Sequence, residues 1–192
     1  MRKVKAVVLA LGLLAACAVS AAAQNSNMSG HSDMPAQKSL YERIGGLDAI
    51  KAVIDDFVGR VAADTRINQK FAKSDIPRVK LHLVEQVCQV TGGPCQYTGL
   101  SMKQSHKNMK VTEGEFNALV EDLVATLDKF NVPAAEKGEI LGALGPLKSQ
   151  IVEVPGSATG TPLPANFKPA KPLPAARIAK GPQMKGPKKK GM

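Results

Sequence analysis

Thr112-Glu113-Gly114-Glu115-Phe116-Asn117-Ala118-Leu119-Val120-Glu121-Asp122-Leu123-Val124-Ala125-Thr126-Leu127 is the stretch that decides the fold class. Its apolar residues Phe116, Leu119, Val120, Leu123, Val124 and Leu127 recur at spacings of three and four, the period of one helix face. Thr112 and Glu115 have the form of a capping box, in which each side chain satisfies a backbone N–H at the helix start. The same period recurs on both sides. Upstream, Ile50, Val53, Ile54, Phe57, Val58 and Val61 form a second stripe, with Asp48 and Asp55 on other faces. Gly45-Gly46 separates that helix from a short one over 40–44. Another helix is expected over 77–90, with Val79, Leu83, Val84, Val87 and Val90 on one face. Proline suits its first turn, and Gly92-Gly93-Pro94 ends it. A short helix is expected over 102–107. After Asn131-Val132-Pro133 a last one spans 134–152, which Pro146 should kink or interrupt. No segment alternates as a strand. The expectation is an all-α domain over residues 38–154.

Composition divides the chain of 192 residues into unlike parts. Aromatic content is 4% and Trp is absent, so the core must be aliphatic. The net charge of +10 is not spread evenly. Residues 38–154 hold fifteen basic and fifteen acidic side chains, while residues 155–192 hold eight basic and no acidic ones. A neutral central domain lacks the basic face that nucleic-acid binding requires.

The N-terminus reads as an export signal over residues 1–23. Arg2, Lys3 and Lys5 precede an apolar run over 6–16, too short to span a bilayer as a mature helix. Two cleavage readings stand. Ala21-Ala22-Ala23 before Gln24 fits ordinary signal peptidase, and Leu14-Ala15-Ala16-Cys17 resembles a lipobox that would lipidate Cys17 and tether the protein to a membrane. Either places the mature chain outside the cytoplasm, in the periplasm. Residues 24–37 read as a flexible polar linker containing His31. Residues 155–192 carry eight of the thirteen prolines and end in Gly-Pro-Lys-Lys-Lys-Gly-Met. Such a segment is expected to be a disordered, solvated tail, with a polybasic contact to anionic membrane or envelope polymers as the alternative.

Candidate ligands in the folded domain are few: His82, His106, Cys88 and Cys95. No metal-spaced cluster, phosphate loop, nucleophile elbow, flavin motif or nicotinamide motif is present in the sequence. Taken alone, either histidine reads more readily as an ordinary surface or half-buried residue than as a ligand.

The ordered set of short motifs says more. Leu40-Tyr41-Glu42-Arg43-Ile44-Gly45-Gly46, then Asp56-Phe57, Phe71, Gly92-Gly93-Pro94-Cys95-Gln96-Tyr97-Thr98-Gly99, and Ser101-Met102-Lys103-Gln104-Ser105-His106 before the helix Phe116-Asn117-Ala118-Leu119-Val120-Glu121-Asp122-Leu123 resemble the group I truncated haemoglobins, across residues 39–152. The resemblance implies a two-over-two helical sandwich around haem b. It implies His106 as the proximal iron ligand and Phe71 as the aromatic packed on the porphyrin. It places Phe57 and Tyr97 at pocket and loop positions. Met102, Leu119 and Leu123 would line the cavity. It also exposes departures. Where relatives that stabilise oxygen carry Tyr and Gln, this chain has Val58 and Leu83, with Val79 one turn earlier, and none of these can donate a hydrogen bond. Oxygen would lose a bond worth about 1–3 kcal/mol in a dry site, so it should bind weakly or leave quickly unless another donor moves in. The glycines usual just after the proximal histidine are replaced by Asn108 and Met109.

His82 stands where some cyanobacterial members carry a distal histidine, so the resemblance implies a six-coordinate, bis-histidyl iron. The alternative is that His82 points to solvent or to a haem propionate. Cys88 and Cys95, seven apart, would pair in an oxidising compartment and pin the distal helix; otherwise they are one buried small residue and one exposed thiol. The function expected is binding of oxygen, nitric oxide or another diatomic ligand. The alternative is periplasmic electron transfer or nitrogen-oxide redox with an unknown partner. An enzymatic role as nitric oxide dioxygenase or nitrite reductase would need a separate reductase, so carrier or binder is the default.

Overall fold

In the computed structural model, which describes residues 37–186, the chain enters at a capped turn. Ser39 accepts from the Glu42 N–H, and the Glu42 carboxylate accepts from the Ser39 N–H at 2.8 Å. This opens α1 (Leu40–Arg43). Gly45 and Gly46 both take positive φ, 95° and 72°, a turn that a side chain would strain, and α2 (Gly46–Ala63) follows. A 3-10 turn over Asn68–Phe71 leads to α3 (Ile76–Val90), where the Asp75 side chain caps the Arg78 N–H and Pro77 occupies the first turn. Then come α4 (Met102–Ser105) and α5 (Glu113–Lys129). Thr112 and Glu115 make the expected capping box at the start of α5. The last expected helix is divided at Pro146 into α6 (Ala134–Leu144), a 3-10 turn and α7 (Lys148–Ile151).

Helix α2 packs against both α3 and α5, and its stripe supplies Ile50, Ile54, Phe57, Val58 and Val61 to the main core. Val84 and Cys88 of α3 and Ala118 of α5 meet it there. Fully burying such a side chain stabilises by about 1.5–3 kcal/mol, so the aliphatic stripes dominate the fold's stability. Val90, expected on the buried face, is 40% exposed, because α3 turns its inner face through Leu81, Val84 and Cys88. A smaller core of Met109, Val111, Phe116 and Ile151 lies beside α5 and takes in Leu163 and Phe167.

Those last two residues show that the tail differs from its expected form. Over 155–186 it is laid along the domain instead of being disordered. The Gly114 N–H donates to the Gly156 carbonyl at 3.1 Å, and Thr161 donates its N–H to Glu115. A Cβ on Gly114 would stand 2.3 Å from the Ser157 carbonyl oxygen, so this close approach requires glycine. Further on, α8 (Ala175–Ala179) precedes β2 (Gln183–Met184), which pairs antiparallel with β1 (Cys95–Gln96). The physical reason is that Glu115 and Glu85, buried carboxylates of the helical domain, need partners that the tail supplies. The signal peptide, the lipobox with Cys17, residues 24–36 of the linker and the final Lys188–Lys190 run lie outside the described residues. No helix among the described residues is long and apolar enough to cross a membrane.

Candidate haem site

One cavity of about 280 Å³ opens among α2, α3, the α4 end and α5. Of the residues singled out in the sequence, Phe57, Val58, Phe71, Val79, His82, Leu83, His106 and Leu119 line it. Three others do not. Tyr97 stands behind the wall, its ring edge-on to His82 at 5.8 Å and its hydroxyl donating to the Leu100 carbonyl at 2.6 Å. Met102 turns into the smaller core, because its helix α4 is only one turn long and presents His106 inward instead. Leu123 lies one turn too far along α5 and packs into the main core.

His106 caps the C-terminal end of α4, and its backbone N–H donates to the Met102 carbonyl at 3.1 Å. Its Nδ1 lies 2.8 Å from the same carbonyl oxygen. A carbonyl only accepts, so Nδ1 carries the proton and Nε2 keeps its lone pair for a ligand role. Burial holds the His106 pKa below its ordinary value, against the opposing pull of the Met102 hydrogen bond and the Glu153 charge, which keeps that lone pair free. The loop after it takes left-handed backbone at Asn108 and Lys110, φ 66° and 57°, a conformation that favours glycine. Glu153 accepts both of their N–H groups at 2.7 Å, and the buried Lys70 ammonium donates to the Met109 carbonyl at 3.0 Å. These bonds hold the loop without glycine.

His82 projects from α3. Its Nδ1 is 3.1 Å from Glu85 Oε2, and Glu85 is fully buried. Burial alone would raise the Glu85 pKa, but hydrogen bonds from Thr98, Arg177 and His82 outweigh it and bring it down to about 2. The carboxylate is therefore ionised and accepts only, so His82 Nδ1 carries the proton. His82 Nε2 is buried and has no hydrogen-bond partner. A buried polar atom without a partner is costly, and here it belongs to a side chain that lines the same cavity as His106. Two imidazoles with their Nδ1 protons fixed, in an otherwise largely aliphatic and aromatic cavity, suit a flat apolar cofactor carrying an axial metal. Among the described residues no three His, Cys, Asp or Glu side chains gather as a metal cluster of their own. The solvent-pointing alternative for His82 does not describe this side chain, which is 14% exposed.

Several lining residues carried no readable role in the sequence. Gln86 is one turn beyond His82 on α3, and Arg78 one turn before it, so helix periodicity from His82 would have found both. They place hydrogen-bond donors in a wall that Val58, Val79 and Leu83 leave without any. Phe167, Pro169 and Ala170 come from the tail, and no local pattern marks them. Behind α3, Cys88 and Cys95 form a disulfide with Cα atoms 5.7 Å apart, tying the helix end to β1; both residues are fully buried.

The family model of bacterial-like globins matches residues 39–153. A group 1 truncated hemoglobin of Mycolicibacterium paratuberculosis is 37% identical over 113 residues, which is 59% of this chain and 83% of that protein. The crystal structure of the Tetrahymena pyriformis truncated hemoglobin in its Fe(III) form superposes with a TM-score of 0.58 at 29% identity, covering 60% of this chain and 98% of that one. The 2/2 hemoglobin of Synechococcus sp. PCC 7002, solved in the cyanomet state with covalently attached heme, gives 0.54 at 32% identity over 56% of this chain and 91% of that one. The chain belongs to the bacterial-like globin family, and its cofactor is haem.

Proposed function

We propose that this globin holds haem iron between His106 and His82, and that it binds diatomic molecules such as oxygen or nitric oxide by letting them displace His82. The observation that carries this reading is that His82, whose buried Nε2 has no hydrogen-bond partner, lines the same cavity as His106. Haem, when bound, supplies an iron coordination position for a small ligand and a one-electron couple. His106 would hold the iron through its Nε2, and His82 would be the imidazole that an entering ligand has to replace. Phe57, Phe71, Val58, Val79, Leu83 and Leu119 keep the cavity dry, and Gln86 offers an amide that can turn toward a polar guest.

The same pair of histidines favours a second reading, electron transfer. Two imidazoles whose Nδ1 atoms are already held by the protein would need little rearrangement when an electron is exchanged. Export is part of the proposal. The basic start and apolar run of the N-terminus support it, and the Cys88–Cys95 disulfide is what an oxidising compartment allows. Anchoring through Cys17 belongs to the same proposal.

The test is the absorption spectrum of the purified mature protein, ferric and ferrous, for wild type and His82→Ala. Low-spin spectra that become high-spin in the variant are expected. High-spin spectra in both would remove His82 from the iron and leave a five-coordinate binder.

A further inference from the structure

Beyond the globin domain, the tail reaches the haem cavity at two places. Phe167, Pro169 and Ala170 form part of its wall, and the Lys171 carbonyl accepts from Arg78, another wall residue. Then α8 brings Arg177 to the back of α3. Its Nη2 donates to Glu85 Oε1 at 2.6 Å and to Thr98 Oγ1 at 2.8 Å, while Nη1 donates to the Gly181 carbonyl at 2.8 Å. The Gln183 N–H adds a bond to the same Oε1 at 3.2 Å. The other oxygen, Oε2, accepts from the Thr98 N–H, the Thr98 hydroxyl and His82 Nδ1. One carboxylate oxygen thus faces the tail and the other faces the distal histidine. The family match ends at residue 153, so Arg177 and Gln183 lie outside the matched residues.

We propose that Arg177 is a positioning residue of the haem site: by clamping Glu85 from the tail, it fixes the ring orientation and Nδ1-protonated tautomer of His82, and so sets how readily that histidine leaves the distal position. The inference rests on His82 being the distal ligand. A carboxylate that supports a ligating histidine works only while its own rotamer is held. Apart from His82 itself, Oε2 is held by Thr98, which does so from an irregular loop. Arg177 and Gln183 close the other side with donors 92 and 98 residues away in the chain. Without them Glu85 can turn, and His82 loses the acceptor that fixes its ring.

The experiment uses the full mature chain, haem-loaded for the kinetics and before haem is added for the NMR, in wild type, Arg177→Ala, Arg177→Lys, Gln183→Pro and His82→Ala. Cyanide association with the ferric protein is followed by stopped flow. The tautomer of the His82 ring is read by nitrogen-15 NMR on the haem-free protein. Arg177→Ala should speed cyanide association by ~10-fold or more, the scale on which supporting partners of a ligand act. It should also mix the two ring tautomers. Gln183→Pro, which removes the second tail donor, should move both readouts the same way, and Arg177→Lys should restore part of the wild-type behaviour. Wild-type rates and a single Nδ1-protonated tautomer in both Arg177→Ala and Gln183→Pro, alongside a spin-state change in His82→Ala, would overturn the proposal alone. An unchanged spectrum in His82→Ala would overturn the distal-ligand reading beneath it.

Discussion

The two histidines of the cavity wall, His106 and His82, are held in opposite ways. His106 gives its Nδ1 proton to the Met102 carbonyl, four residues back on its own short helix. His82 gives the same proton to Glu85, which is anchored by Thr98, Arg177 and Gln183 from two other segments. The first arrangement is local and made of backbone, so it forms whenever the turn forms. The second depends on Glu85, three residues along α3, being clamped by backbone and side-chain groups from distant segments, so it can be loosened without unfolding the helix that carries His82. Under the proposed function, this asymmetry would let the protein keep its iron while His82 gives way to a ligand.

The asymmetry can be broken most severely at its fixed side. His106→Ala should lower haem affinity by more than the ~10–100-fold typical of changes to groups that only support a ligand. Haem transfer to apomyoglobin measures it, and added imidazole should recover the spectrum. On the distal side, Glu85→Ala leaves Arg177 charged and half-buried with its main partner gone, and should cost about 3–5 kcal/mol in thermal or denaturant unfolding. Glu85→Gln keeps the shape and should cost less. Replacing Cys88 and Cys95 together by Ser opens a short loop and should cost ~2.5 kcal/mol by the chain-entropy relation, read from the same unfolding curves. It should also loosen β1 and the β2 pairing that brings Gln183 to Glu85. The smallest effect should come from Ser105→Ala. The Ser105 hydroxyl lies 3.1 Å from His106 Nδ1, but the Met102 carbonyl remains, so a change of no more than ~1 kcal/mol is expected, with an unaltered haem spectrum. A large spectral change in Ser105→Ala would show that the proximal side is not self-contained.

The helical frame was legible because its signals are local. The stripes of α2 and α5, the Thr112–Glu115 box, the glycine turn at Gly45-Gly46 and the break at Pro146 each need only a few neighbouring residues. The cavity wall was largely legible for the same reason, once the motif order pointed to His106. Tyr97, Met102 and Leu123 were misplaced because position along a motif does not reveal which way a one-turn helix or a loop faces. The tail was not legible at all. Its Pro/Lys composition resembles that of solvated segments, and what binds it is a pair of carboxylates, Glu85 and Glu115, on helices where periodicity reads them as outward-facing polar residues. Their burial follows from partners more than forty residues away, and no window along the chain contains both halves of such a bond.

The central claim, two histidines on one iron, is tested most directly by electron paramagnetic resonance of the frozen ferric protein. A rhombic low-spin signal with hyperfine coupling to two imidazole nitrogens, lost in His82→Ala, is the predicted result. An axial high-spin signal in the wild type, with coupling to one imidazole only, would contradict it.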